Sequence, residues 1–179
     1  NVATEDAAKL SVANNGMLKA RGGQVLMTAA DASSLIDRTI NMSGIADAGS
    51  AVSRGGEIIF TGENASIAVS GKALASGMAG GGVIKIGGDY QGAKTLPEAK
   101  DVHIAKSAII KANAVGQGNG GTAIVWSKEA TRMDGSIETR GGKRGGDGGL
   151  IETSSKGQLG IAGMADASAS SGAAGQWLL

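Results

Sequence analysis

The stretch "GGTAIVWS" (120–127) places a glycine pair directly before a run of apolar and β-branched residues. Side chains of a β-strand alternate between two faces, so Ala123 and Val125 would share one face and Thr122 and Ile124 the other. This period-two pattern predicts a half-buried strand. Five other stretches follow glycine in the same way: "GGQVLMTA" from Gly22, "GGEIIFTG" from Gly55, "GGVIKIGG" from Gly81, "GGLIETSS" from Gly148 and "GQWLL" from Gly175. The stretch is therefore interpreted as one copy of a repeated strand, not as a phosphate-binding loop.

Applied to all copies, this register divides the strand residues into an inward and an outward face. The predicted inward residues are Val25/Met27, Ile58/Phe60, Ile84/Ile86, Ala123/Val125, Ile151/Thr153 and Trp177/Leu179. The predicted outward residues are Gln24/Leu26, Glu57/Ile59, Val83/Lys85, Thr122/Ile124 and Leu150/Glu152. Four large apolar side chains fall on the outward side: Leu26, Ile59, Ile124 and Trp126. We expect an inserted segment and long loops to cover them, the alternative being an exposed apolar stripe.

A second, five-residue unit recurs before these strands. Its copies are "GMLKA" (16–20), "GIADA" (44–48), "ASIAV" (65–69), "AIIKA" (108–112), "GSIET" (135–139) and "GMADA" (163–167). Their last positions are 28, 21, 43, 27 and 28 residues apart, which indicates a repeat of about 28 residues with one inserted segment near 87–105. The fourth position is Lys19, Asp47, Ala68, Lys111, Glu138 and Asp166, and its charged character predicts a solvent-facing row.

Composition limits the kind of core this chain can build. Glycine contributes 32 of 179 residues, whereas Trp, Tyr and Phe together contribute four, so a thin aliphatic core is expected. Helical patterns are nearly absent; the best candidate, "AADASSLIDR" (29–38), is short and predicts a turn and a strand. Six copies of strand, loop and strand, with one strand on each of two faces per turn, predict an all-β right-handed parallel β-helix (β-solenoid) of about six coils. Residues 1–179 would form a single segment of this kind.

Charge and cysteine content exclude several partners. The formal net charge is +1, so no strong field would recruit nucleic acid. No cysteine is present to form a disulfide or a thiolate metal site, and no apolar run is long enough for a membrane span. The amino terminus, "NVATEDAAKL", has neither an initiator Met nor the regions of a signal peptide. We expect an excised piece of a longer rod or a processed subunit.

Several long stretches resemble one known family. "VANNGMLKARGGQVLMTAADASSLIDRTINMSGIADA" (12–48), "GGVIKIGGDYQG" (81–92), "GNGGTAIVWSKEATRMDGSIETRGG" (118–142) and "GQWLL" (175–179) are similar, in this order, to filamentous-haemagglutinin-like exoproteins of bacterial two-partner (type Vb) secretion. The resemblance implies a right-handed β-helix and an outer-membrane two-partner transporter as export partner. It also implies secretion to the surface of a Gram-negative bacterium, with roles in adhesion, biofilm or haem acquisition. The Asn-Pro motifs of the amino-terminal secretion domain are not found, so the chain resembles shaft beyond that domain.

Two glycine-rich stretches offer candidate ligand contacts. "GGKRGGDGG" (141–149) lacks the Lys-Ser/Thr of a phosphate loop, and it lacks the tandem Asp positions of a calcium-binding nonapeptide. We interpret it as a flexible loop that holds Arg140, Lys143, Arg144 and Asp147 in solvent. In "GGDYQG" (87–92), Tyr90 beside Asp89 could stack on a sugar, although a tyrosine more often packs against the rod. Trp126 is the remaining candidate for a ligand or lateral contact.

Catalytic patterns are weak. His103 is the only histidine, no G-x-S-x-G turn occurs, and we expect His103 to face solvent between Val102 and Ile104. Carboxylate pairs deserve consideration because some β-helices cleave polysaccharides; the candidates are Asp134 with Glu138 and Asp47 with Asp166. Because Lys, Asp and Glu alternate at these positions, a solvated charged face is favoured. The sequence predicts no enzyme, no cofactor and no metal site.

Three functions remain open. The favoured one is a structural and adhesive shaft that presents binding loops to a surface glycan or protein of a host or another bacterium. The second is an extracellular filament subunit that associates end to end, because "GQWLL" shows no polar cap. The third and least favoured is a polysaccharide-cleaving enzyme on the same fold.

Overall fold

A computed structural model describes residues 9–29 and 37–179, and within them the chain forms three parallel sheets of six strands each. Each coil contributes one strand to every sheet. The first sheet contains β1 (Lys9–Asn14), β4 (Asp37–Met42), β7 (Ser66–Val69), β10 (Asp101–Ile104), β13 (Ala130–Met133) and β16 (Gln158–Ile161). The second contains β2 (Met17–Lys19), β5 (Ile45–Asp47), β8 (Lys72–Leu74), β11 (Ile109–Lys111), β14 (Ser136–Glu138) and β17 (Met164–Asp166). The third contains β3 (Gln24–Ala29), β6 (Glu57–Gly62), β9 (Val83–Ile86), β12 (Thr122–Ser127), β15 (Leu150–Ser155) and β18 (Gln176–Leu178).

The architecture is a β-solenoid of six stacked coils, as predicted. Equivalent strands of successive coils pair in parallel; Lys19 lies beside Asp47, and Lys111 lies beside Glu138. The prediction of one strand on each of two faces was wrong, because a third sheet is present. The first sheet comes from short segments such as "DVHI" (101–104), which carry no glycine pair to mark their start. Of the stretch 29–38, residues 30–36 lie outside the described residues, and β4 begins at Asp37.

The core lies between the three sheets and is built from small aliphatic side chains. The predicted inward residues of β3, β6, β9, β12 and β15 are all buried, as the alternation required. Phe60, paired with Met27 below and Ile86 above, is the largest of them. In the sixth coil the inward register also holds, since Trp177 pairs with Ile151, but Trp177 and Leu179 are exposed.

The charged row lies on the second sheet, and one of its predicted members is wrong. Leu74 pairs with both Asp47 and Lys111, so it occupies the position assigned to Ala68. Ala68 belongs to β7 of the first sheet, beside Asn41 and His103. The misassignment has a physical cause: "SIAV" and "KAL" are adjacent short strands of one coil, and both fit a five-residue pattern. When Leu74 replaces Ala68 in the charged row, successive members of the row lie 27 or 28 positions apart in the sequence. The exception is the step across the insertion, where Lys72 pairs with Ile109.

The insertion lies where the repeat length predicts it. Residues 87–100 connect β9 to β10, whereas the equivalent connections after β12 and β15 contain two residues each. We call residues 87–100 the cover segment. It contains one 3₁₀ turn at Tyr90–Gly92 and packs against β12 and β15. Within the described residues, no helix has the length and apolar character needed to cross a membrane.

Candidate functional site

Trp126 lies beneath the cover segment. Its side chain is on the outward face of β12, yet only 3% of the residue is exposed. The cover segment approaches so closely that a methyl group on Gly88 would lie 2.8 Å from Cε3 of the indole, and one on Gly92 would lie 2.7 Å from Cζ2. Glycine is therefore required at both positions. From the next coil, Nζ of Lys156 lies 5.5 Å from the centre of the ring, within cation–π range.

The expectation that outward apolar residues are covered is confirmed for three of the four. Ile59 and Ile124 are buried together with Trp126, whereas Leu26 is 53% exposed. Leu26 belongs to the first coil, and the cover segment leaves from the third. A ligand contact at Trp126 stays a prediction, and it would require the cover segment to move away.

Asp89 fastens the start of the cover segment. Its carboxylate accepts hydrogen bonds from the backbone nitrogen of Tyr90 at 2.8 Å and from Oγ1 of Thr95, and it lies 2.9 Å from Nζ of Lys85. Partial burial acts to raise the pKa of Asp89, but hydrogen bonds from Thr95, Lys85 and Tyr90 outweigh it and hold the pKa below its ordinary value. The carboxylate predicted to accompany a sugar is thus occupied by contacts within the chain.

Glu152 fastens the same segment from two coils further on. The backbone nitrogen of Gln91 donates to both of its carboxylate oxygens, at 3.1 and 2.9 Å, and Oγ of Ser154 donates at 2.6 Å. Only 2% of Glu152 is exposed. From the sequence, Glu152 was predicted to lie on the outward face of its strand. Its register beside Ile124, under the same insertion, was the signal that could have indicated burial.

Tyr90 remains on the surface of the cover segment. It is 38% exposed, and its neighbour Gln91 has a positive φ of 53°, which turns the chain sharply at this point. An exposed aromatic ring, on a turn that hydrogen bonds hold in place, is suited to stacking on the apolar face of a sugar. The predicted sugar contact at Tyr90 stays a prediction, without the free carboxylate that was expected beside it.

The loop 141–149 was predicted to be flexible. Its backbone bonds to the loop of the preceding coil: the nitrogen of Arg144 donates to the oxygen of Gly116 at 2.9 Å, and that of Gly118 donates to the oxygen of Gly145 at 2.8 Å. The prediction of a flexible loop does not agree with this pairing. Lys143 and Arg144 are exposed, as expected.

Arg140 bridges two acidic residues of the charged row. Its Nη2 lies 2.7 Å from Oε2 of Glu138, and its Nη1 lies 3.8 Å from Oδ2 of Asp166. Burial acts to raise the pKa of Glu138, but hydrogen bonds from Asn113 and Lys111 and the charge of Arg140 lower it overall. Ligand contact at Arg140, Lys143 and Arg144 stays a prediction.

His103 contacts a carboxylate on the first sheet. Its Nε2 lies 3.2 Å from Oδ2 of Asp134, which also accepts from Nε of Arg132 at 2.6 Å. The hydrogen bond from Arg132 is the main reason that the pKa of Asp134 is lowered. His103 faces solvent, with Val102 and Ile104 buried on either side, as predicted. Asp134 and Glu138 were considered as a catalytic pair, but each carboxylate forms an ion pair with a different basic side chain.

The potential metal ligands among residues 9–29 and 37–179 are His103 and the Asp and Glu carboxylates. No group of three His, Asp or Glu side chains in these ranges converges as a metal site would require. Carboxylates of the charged row instead contact cations: Lys19 lies 3.6 Å from Asp47, and Lys111 lies 3.0 Å from Glu138. The arrangement neutralises charge along the stacked coils.

Comparison with known proteins finds similarity at the level of structure. No family model matches the chain, and no curated protein matches it. Among solved structures, the crystal structure of the HMW1 secretion domain from Haemophilus influenzae matches with a TM-score of 0.66 and 24% sequence identity. The match covers 94% of this chain and 49% of that one, so the chain spans about half the length of the secretion domain. The similarity shows that the two proteins share the solenoid fold.

Proposed function

We propose that this chain is a shaft segment of a large secreted exoprotein of the filamentous-haemagglutinin-like type. In this role it holds binding loops away from the surface of a Gram-negative bacterium. The observation that carries the proposal is the solenoid of six coils in the described residues, together with its similarity to a domain described as a secretion domain. A solenoid is suited to this task because each coil needs only its neighbours for stability, so a rod of any length can form. The export partner would be an outer-membrane two-partner transporter.

Localisation tests this proposal directly. An antibody raised against the chain should detect the native protein in the culture medium or on intact cells. Deletion of the gene for the partner transporter should retain it inside the cell. Detection in the cytoplasm of the parent strain, with none outside, would rule the shaft function out.

The proposal includes no catalysis. The outward carboxylates Asp47, Asp134 and Asp166 all lie within 4 Å of a cation, and the pKa values of Asp134 and Asp166 are lowered, so neither is suited to act as a general acid near neutral pH. Incubation with a panel of plant and bacterial polysaccharides should release neither reducing ends nor unsaturated products. Release of either would favour the enzymatic alternative.

End-to-end association is a second candidate, and one observation favours it. The charged row begins with Lys19 in the first coil and ends with Asp166 in the last, so two stacked copies would bring opposite charges together. In the sixth coil, Met164 and Trp177 are exposed. In the first coil, Met17 and Leu18 are exposed.

Charge reversal tests this candidate. If copies stack, wild type should form polymers in light scattering and negative-stain microscopy, and Lys19→Asp should reduce them. The double variant Lys19→Asp/Asp166→Lys should restore polymers. A monomer at all concentrations, or equal polymerisation by all variants, would exclude stacking through this row.

A further inference from the structure

The connections between the second and third sheets stack along one corner of the solenoid, and their charges are unbalanced. We call the five basic residues of these connections the basic ridge: Arg21, Arg54, Arg140, Lys143 and Arg144. The same connections contain one acidic residue, Asp147, and the three connections 75–82, 112–121 and 167–175 contain no charged residue at all. The net charge of the whole chain is only +1, so positive charge is concentrated at this corner.

The corner that carries the cover segment provides the contrast. There three ion pairs form: Lys85 with Asp89 at 2.9 Å, Lys100 with Glu129 at 3.8 Å, and Lys128 with Glu63. On the basic ridge, Arg21, Arg54, Lys143 and Arg144 are exposed, and the described part of the chain places no carboxylate within ion-pair distance of them. These four cations are available to an external anion.

The ridge is held rigidly by hydrogen bonds between successive loops. The nitrogen of Met78 donates to the oxygen of Ser50 at 3.1 Å, and that of Gln117 donates to the oxygen of Met78 at 3.0 Å. Two arginine side chains lie across glycines of adjoining loops: a methyl group on Gly80 would lie 3.0 Å from Nε of Arg54, and one on Gly116 would lie 3.2 Å from Nη2 of Arg144. Little backbone entropy would be lost when a ligand binds such a surface.

A depression of about 510 Å³ lies on the ridge between the loops of the last three coils. Arg140 and Lys143 line it together with the hydroxyl-bearing Ser168 and Ser170 and the exposed Val115. Cations, hydroxyl groups and a small apolar surface are the groups that bind an acidic sugar ring, and the volume is within the range of ligand sites. Arg54 and Arg144 belong to the second and fifth coils, about 14 Å apart at the spacing of β-strands. A polymer with repeated anionic groups could therefore contact both.

We propose that the basic ridge binds an acidic polysaccharide, with one carboxylated or sulfated sugar in the depression beside Lys143. A polysaccharide fits better than a nucleic acid because none of the four aromatic residues of the chain, Phe60, Tyr90, Trp126 and Trp177, belongs to the connections that carry the ridge. Single-stranded nucleic acids are bound largely by stacking on such rings. This inference rests on the proposed function, because it names the class of ligand that the loops of the shaft would bind.

Binding of purified full chain to four probes tests the inference: dextran sulfate, polygalacturonate, neutral dextran and duplex DNA. Wild type should bind at least one acidic polysaccharide and not neutral dextran. The double variant Lys143→Gln/Arg144→Gln should weaken that binding at least about tenfold, equivalent to about 1.4 kcal/mol. The matched control Lys72→Gln/Lys106→Gln removes the same two charges from exposed residues at another corner, and it should weaken binding less than about twofold, the range of a non-specific charge effect.

Four results would overturn the inference: no binding to either acidic polysaccharide, equal binding to neutral dextran, equal loss in the two double variants, or tighter binding to duplex DNA. Circular dichroism of each variant shows whether it is folded. Export of the native protein is measured separately, so failure to bind with export intact removes only this inference. Cytoplasmic location with binding intact would remove the proposed shaft function instead.

Discussion

The backbone nitrogen of Gln91 donates hydrogen bonds to both carboxylate oxygens of Glu152, although the two residues lie 61 positions apart in the chain. This contact ties the cover segment, which leaves the third coil, to a strand of the fifth. Between them lies the fourth coil, with Ile124 and Trp126 buried beneath the connection. The cover segment therefore links three coils.

Replacement of Glu152 should loosen this link. Glu152→Ala leaves the backbone nitrogen of Gln91 without its acceptor, and we expect a loss of about 1–3 kcal/mol in the free energy of unfolding. In a Trp177→Phe background, where Trp126 is the only tryptophan, acrylamide should quench its fluorescence more strongly. Glu129→Ala is the control, since Glu129 is exposed and lies 3.8 Å from Lys100. Equal quenching in both variants would show that Glu152 does not hold the cover segment.

Ile124 and Leu26 occupy the same outward row of the third sheet, and they differ in coverage. Ile124→Ala should cost about 2–5 kcal/mol of stability because it leaves a cavity beneath the cover segment. Leu26→Ala should change stability by no more than about 0.5 kcal/mol because its side chain already contacts water. Urea denaturation measures both. Similar losses at the two positions would mean that the cover segment does not bury this face.

Gly92 has a φ of +67° and no room for a side chain against the indole of Trp126. Gly92→Ala should therefore destabilise the protein by about 1–3 kcal/mol, from steric overlap and backbone strain together. Gly160→Ala provides the matched control, since nothing lies within 4 Å of the added methyl group. Thermal melts of the two variants should differ clearly; coinciding melts would contradict the close packing of Gly92.

Acid should loosen the cover segment through Asp89. Because the folded state lowers the pKa of Asp89, its stabilising contribution is fully present above the ordinary pKa of 3.8 and is lost as pH falls through the lower folded value. We expect constant quenching of Trp126 between pH 7 and pH 5, and rising quenching as pH falls below about 4. Asp89→Asn should make quenching higher at pH 7 and less dependent on pH. An unchanged pH profile in Asp89→Asn would assign the acid response to other carboxylates.

Much of the solenoid could be predicted from the sequence because its coils repeat. Alternation at Ile58 and Phe60, or at Ala123 and Val125, directly reports which side chains face the core. The row containing Lys19 and Asp47 was found in the same way. The error at Ala68 arose because β7, of four residues, and β8, of three, follow each other closely in the chain. Strands this short show too little alternation for periodicity to separate them.

The cover segment was harder to predict because it does not repeat. The lengthened repeat revealed its position, but neither the hydrogen bonds from Gln91 to Glu152 nor the contact of Gly92 with Trp126 follows from any period. Both depend on where a turn with positive φ at Gln91 brings the chain back onto the sheet. A charged residue in an outward register is ordinarily solvated, and only the folded path of residues 87–100 reverses that expectation for Glu152.

Strand pairing continues undisturbed on both sides of the insertion: Asp101 pairs with Ser66 before it and with Ala130 after it. The corner between the third and first sheets thus accepts a longer connection without shifting any neighbouring strand. Foreign peptides could be grafted at the two-residue turns after β12 or β15 with the same tolerance, since coil-to-coil hydrogen bonds, not turn length, set the register. At this corner the length of a connection can therefore change while the stacked strands keep their register.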